Sequence, residues 1–262
     1  MKRRRFIAII GSVVLLLLTL AFFLAPRNAG LYRATILPSL GGNLTVATAL
    51  NDRGQVVGYS EAADGACHLF LWDREGGIRD LGPAIRTLFY INDAGQIAGT
   101  TRDRNGNELA FIWDRACGVR MLGTLGGTES VVRGLNNRGQ AVGWSRTAAG
   151  LKHAFVWGET TGMRDLGTPE GDGGEARAIN DNGQIVGVSD EEAGRPALWT
   201  STGSAADTAQ CRGLFGLSDI NSHGYAAGRQ WSRDGGDFMI LWRPGGDPKK
   251  LFPIDHEIDR WP

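Results

Sequence analysis

The side chains of this chain that could do chemistry are few and scattered. Carboxylates that break the internal pattern described below stand at Glu108, Glu129, Glu175, Asp219 and Asp237. Glycoside cleavage needs two carboxylates facing each other across a sugar ring, and nothing in one dimension selects a pair among these five. Arg133 and Arg177 occupy equivalent places in neighbouring units, where others have Thr48, Phe89 and Ser218. Two such cations could face an anionic ligand, although pairing with Glu129 and Glu175 is the plainer expectation. Trp144, Trp231 and Trp261 lie off the regular tryptophan position. Exposed on a rim, such rings could stack on sugars or anchor a protein; peripheral packing is the simpler alternative. Trp144, Trp231, Arg133 and Arg177 are therefore the candidate ligand-binding residues.

No catalytic, metal or cofactor site is expected. The chain has no HExxH, GxSxG, P-loop or Cys-x-x-Cys pattern. His256, in DHEIDRW (Asp255 to Trp261), has acids around it but not metal-ligand spacing. Cys67, Cys117 and Cys211 take different places in the repeat, and are read as incidental. His68 and His153 share one repeat position, as do Asp80 and Asp165; what every unit carries is best explained by the unit itself.

The elements that position these residues come from an internal repeat. LNDRGQVVG, INDAGQIAG, LNNRGQAVG, INDNGQIVG and INSHGYAAG place asparagines at Asn51, Asn92, Asn136, Asn180 and Asn221, spaced by 41, 44, 44 and 41 residues. Each motif is followed by a tryptophan: Trp72, Trp113, Trp157, Trp199 and Trp242. Two signals locked at one period establish the repeat. Asn opening a type I turn and glycine closing it in the left-handed region, at Gly54, Gly95, Gly139, Gly183 and Gly224, make each motif a bulged hairpin. The glycines four residues later, from Gly58 to Gly228, sit inside strands and predict close approach by a neighbour. Calcium would need more oxygens than one or two acids per turn supply.

Four short strand candidates per unit, rich in Val, Ile, Phe and Trp, predict an all-β domain over residues 31–254. Units of about 43 residues with four strands match the period of propeller blades. Five four-stranded repeats around an axis are the expected architecture, with a stacked solenoid as the alternative. LYRATILPSLGG (Leu31 to Gly42) resembles GVRMLGTLGG (Gly118 to Gly127), and as a spare terminal strand it could close the last unit. PKKLFP (Pro248 to Pro253) competes for that place.

Ahead of the repeats, residues 1–5 form a basic segment (KRRR) and residues 6–25 an apolar run, FIAIIGSVVLLLLTLAFFLA. Its length at helical rise matches a hydrocarbon core of about 30 Å. The flanking cations predict a cytoplasmic N-terminus, with the linker 26–30, the repeats and the tail 255–262 exported, to the periplasm or the cell exterior. A transmembrane anchor is favoured over a cleaved signal peptide, which would leave the domain secreted, because no small-x-small site follows the run. Five of the chain's 28 basic residues lie in its first thirty positions, leaving 23 against 28 acidic ones beyond them, a net of about −5. That balance argues against non-specific nucleic-acid binding.

HAFVW (His153 to Trp157), with HLFLW and LAFIW as variants, LGTLGG (Leu122 to Gly127), INDNGQIVG and MRDLGT (Met163 to Thr168) together resemble the HAF-repeat proteins. That resemblance, over residues 31 to about 254, implies an exported extracellular repeat protein and carries over no catalytic residue. The expected role is non-enzymatic, a scaffold or adhesion module for a protein or glycan; the alternative is a carbohydrate-active enzyme.

Overall fold

A computed structural model describes residues 34–167, 173–190, 194–203, 214–231, 237–243, 246 and 249–254. The chain divides into two units, Met1–Ile36 and Leu37–Pro262, and the repeats belong to the second. The predicted membrane segment 6–25, Cys211, His256 and Trp261 lie outside the described residues, as does the side chain of Trp231. Among the described residues, no helix is long and apolar enough to cross a membrane.

Every described element is a strand, and the strands form five antiparallel sheets in chain order. The first sheet contains β1 (Gly41–Leu50), β2 (Val56–Ala62), β3 (Cys67–Asp73) and β4 (Gly77–Pro83). The second contains β5 (Tyr90–Ile91), β6 (Ile97–Arg102), β7 (Glu108–Asp114) and β8 (Gly118–Met121). The third contains β9 (Gly126–Leu135), β10 (Ala141–Thr147), β11 (Lys152–Gly158) and β12 (Gly162–Asp165). The fourth has three strands among the described residues, β13 (Glu175–Ile179), β14 (Gln184–Asp190) and β15 (Arg195–Thr200). The fifth contains β16 (Leu214–Ile220), β17 (Ala226–Trp231), β18 (Asp237–Trp242) and β19 (Lys249–Ile254). Of the two segments competing for the outer place in the fifth sheet, the C-terminal one takes it: β19 pairs with β18.

The repeated hairpin forms for the reason its residues suggest. The Asn51 carbonyl accepts the N–H of Gly54 at 3.0 Å, while its side-chain Oδ1 accepts those of Arg53 and Gln55 at 3.1 and 2.9 Å. Gly54 takes φ 74°, and its four counterparts lie between 73° and 80°, a region that costs a residue with a Cβ about 1–2 kcal/mol. Within the strands, a Cβ on Gly58, Gly143 or Gly187 would run into the carbonyl oxygen of Val46, Val131 or Glu175 on the adjacent strand. Register shifts in the same strand pairs mark the bulges that bring those oxygens inward.

Successive sheets bury their apolar faces against one another. Val57, Leu69 and Leu71 of the first sheet meet Ile97 and Phe111 of the second and Phe89, which directly precedes β5. Ala98, Ala110 and Ile112 meet Val132, Phe155 and Trp157. Val142, Ala154 and Val156 meet Ile185, Ala197 and Trp199, and Val186 and Leu198 meet Leu217, Ile240 and Trp242. The residues two before each tryptophan, Phe70, Phe111, Phe155, Ala197 and Ile240, are all buried. Trp157, Trp199 and Trp242 are buried as well, whereas Trp72 and Trp113 are half-buried.

The first sheet's outward face is the exception. Leu50 is 71% exposed, against 8% and 7% for its counterparts Ile179 and Ile220. Val56 is half-buried, whereas Ile97, Ala141, Ile185 and Ala226 at the same repeat position are fully buried.

Candidate functional site

Arg133, Glu175, Arg177 and Asp219, which depart from the repeat, stand on the first strands of their sheets, and four such strands surround a cavity of about 500 Å³. Tyr90 comes from β5; Arg133, Gly134 and Leu135 from β9; Glu175, Arg177, Ala178 and Ile179 from β13; and Ser218 and Asp219 from β16. The wall therefore holds two carboxylates, two guanidinium groups, a phenol and a hydroxyl. Its size falls within the range of small-molecule sites, about 300–1,000 Å³.

Glu175 is the most enclosed of these charges, with 9% of its side chain exposed. Its two oxygens are shared between neighbours on the third sheet: Arg133 Nε donates at 2.6 Å and Lys152 Nζ at 2.9 Å. Burial pushes the carboxyl's pKa up, but Lys152 and Arg133 outweigh it and hold the group below the ordinary carboxylate range. Burial also raises the phenol of Tyr90, which Glu175 reinforces and Arg133 opposes.

Lys152 connects this cluster to Trp144. Its ammonium stands 4.6 Å from the centroid of the Trp144 ring, at cation–π distance. Trp144 itself is half-buried and its indole nitrogen is enclosed without a hydrogen-bond partner among the described residues. Three of the four candidate ligand-binding residues thus fall in one neighbourhood: Arg133 and Arg177 line the cavity, and Trp144 lies behind it through Lys152. Trp231 ends β17, and its side chain is outside the described residues.

The expected pairing of the arginines holds for one of them. Arg133 bridges to Glu175, while Glu129 pairs with Arg146 at 3.0 Å instead. Arg177 makes no ion pair among the described residues. Its Nη1 lies over Gly216, 3.0 Å from where a Cβ on that glycine would be. Of the remaining acids outside the repeat pattern, Asp219 lines the cavity; its Oδ1 accepts the N–H of Ile220 at 2.8 Å. Glu108 pairs with Arg102 at 3.3 Å on the surface.

The turn ends frame a second cavity, of about 260 Å³, that shares Leu135 and Ile179 with the first. Polar groups there are used between neighbouring turns. Asp93 Oδ1 accepts the N–H of Asp52 at 3.0 Å, Asn137 Oδ1 that of Asp93 at 2.8 Å, and Asp181 Oδ1 that of Asn137 at 2.7 Å. The repeated histidines are used within their sheets: His68 and His153 meet Asp80 and Asp165, each at 2.8 Å.

Lys152 and Glu175 were the residues hardest to find in sequence. Lys152 belongs to no motif, and Glu175 was one of five unmatched acids. The signal that singles out Glu175 is its place five residues before the turn asparagine, where other units have Val46, Thr87, Val131 and Gly216.

No protein-family model and no curated protein matches this chain. Among solved structures it is similar to TolB from Acinetobacter baumannii, at a TM-score of 0.51 and 14% identity over 76% of this chain. The chain spans about half, 53%, of the TolB chain. The chain is propeller-like in fold. The β-propeller domain of the Trilobed protease from Pyrococcus furiosus follows at a TM-score of 0.45 and 11% identity, covering 79% of this chain and 83% of that one. The BP39L lectin from Burkholderia pseudomallei has a TM-score of 0.46 and 10% identity, covering 77% of this chain and 67% of that one. At such identities the likeness concerns the fold, and the activities of these proteins do not transfer with it.

Proposed function

We propose that this protein is an exported, membrane-anchored binding or scaffold module of the HAF-repeat type, acting without catalysis on a glycan or protein at the cell surface or in the periplasm. The observation that carries the non-catalytic part is the state of Glu175. Hydrolysis of a glycoside needs a carboxylic acid whose pKa is raised so that it can donate a proton. The one enclosed carboxylate of the cavity is held ionised, with an oxygen bonded to each of two cations. Such a group fixes the cavity wall and has no proton to give.

The propeller-like fold suits this role, since packed sheets provide a rigid frame for the varied side chains of their first strands. The N-terminal apolar run and its flanking cations support export and anchoring. The test is to present the full-length protein to a glycan and cell-wall array and to follow each hit for product release. Binding without turnover is the expected result. Product release that disappears in Asp219→Asn would replace this reading with the carbohydrate-active enzyme.

A further inference from the structure

One charged group on the wall of the larger cavity has no counterpart among the described residues. Arg133 and Lys152 are both bonded to Glu175, and Asp219 spends one oxygen on the adjacent N–H. Arg177 is left as a half-buried guanidinium facing the cavity without an ion pair among the described residues. The unpaired cation of the wall is thus Arg177, facing the carboxylate of Asp219 and the hydroxyl of Ser218 across the lining. A ligand bearing one negative charge would pair with it.

The position of Arg177 is built rather than incidental. Its guanidinium lies over Gly216, a residue at φ 69° that stands where the other units have Val46, Thr87, Val131 and Glu175. A side chain there would meet Arg177 Nη1 and Val188 Cγ1. The glycine thus leaves room for the planar fork to reach across from the fourth sheet to the fifth.

The rest of the wall decides which anion fits. A phosphate group, with up to two charges, would find one unpaired guanidinium and sit against the carboxylates of Asp219 and Glu175. An ammonium-bearing ligand would place a second unpaired cation beside Arg177. A monoanion with a hydroxyl-rich body satisfies all the groups present. Its carboxylate pairs with the Arg177 fork, and its hydroxyls donate to the free oxygen of Asp219 and exchange hydrogen bonds with Ser218, beside the aromatic Tyr90.

Resting on the module reading above, we infer that this cavity binds an acidic sugar of the uronic acid class, with Arg177 as the residue that selects the carboxylate. The ligand is bound, and no covalent step is involved.

The experiment titrates the full-length protein with D-glucuronate, D-glucose and L-glutamate by ligand-observed NMR. D-glucuronate is expected to bind at least about tenfold more tightly than D-glucose, and more tightly than L-glutamate. Arg177→Gln is expected to abolish the preference for the acid, and Arg177→Lys, which keeps the charge without the fork, to retain part of it. Thermal melting verifies that each variant is folded; if Arg177→Gln is not, the intermediate affinity of Arg177→Lys decides. Equal binding of the two sugars, tighter binding of L-glutamate, or an Arg177 variant that still prefers D-glucuronate as wild type does would each overturn the inference. Array ligands bound without any preference for the acidic sugar would overturn it and leave the module reading in place. An array with no ligand at all, glycan or cell wall, would count against the module reading itself.

Discussion

The side-chain amide of Asn136 donates to the main-chain oxygen of Asn180, 44 residues away, at 3.1 Å. Asn51 does the same to Asn92 at 2.9 Å, Asn92 to Asn136 at 3.1 Å and Asn180 to Asn221 at 2.9 Å. The four donors are buried and Asn221 is exposed; its amide donates no such bond among the described residues. The repeated turn is therefore a joint between sheets as well as a hairpin.

Asn136→Ala removes two acceptor contacts to its own turn and two donor contacts, one of them to the next sheet. It is expected to cost about 3 kcal/mol, against about 1 kcal/mol for Asn221→Ala, which loses only the turn contacts. Urea denaturation of the two variants checks the difference. Equal costs would mean that the inter-sheet bond contributes nothing.

Gly143→Ala and Gly54→Ala separate steric from conformational cost. At Gly143 the new methyl collides with the Val131 carbonyl, and a loss of roughly 3 kcal/mol is expected. At Gly54 nothing lies within 4 Å and only the left-handed φ opposes the substitution, for about 1 kcal/mol. Melting temperatures in the reverse order would contradict the bulge described here.

Core truncations should be unequal around the repeat. Ile185→Ala empties a fully buried position and is expected to cost about 3 kcal/mol. Val56→Ala, at the equivalent but half-buried position, is expected to cost under about 1 kcal/mol. Similar losses at both sites would show that the outward face of the first sheet is covered in solution.

Glu175 gives the domain a pH dependence of known sign. Its folded-state pKa is depressed, so its stabilisation is complete above the unfolded value, about 4.3, and is lost as pH falls through the folded value. Glu175→Gln is expected to cost roughly 3 kcal/mol at neutral pH, because it leaves two cations around a neutral amide. The variant should also lose less stability than wild type between about pH 7 and about pH 3. Parallel losses over that range would remove Glu175 from the account.

The sheets were legible because their signals are local. A type I turn closed by glycine is specified within five residues, and four strands follow from alternating apolar runs around it. The glycines inside strands announced the close approach that Gly58 and Gly143 make to a neighbouring carbonyl. The amide ladder was not legible. The asparagine was already accounted for by its own turn, and its second acceptor belongs to the next unit.

The candidate site was legible only as a set of departures from the repeat. Arg133 and Arg177 could be singled out as cations at one repeat position, and Glu175 as a possible partner. Which arginine that carboxylate pairs with, and that Lys152 joins it, depended on the facing of β9, β11 and β13 across a sheet interface. What the amino-acid sequence determined by itself was the repeat, its hairpins and its strands, because turn geometry and side-chain alternation act over a few residues. What only the tertiary structure decided was the charge left over at Arg177, because ion pairing depends on distances of a few ångströms between residues that the chain keeps some forty positions apart.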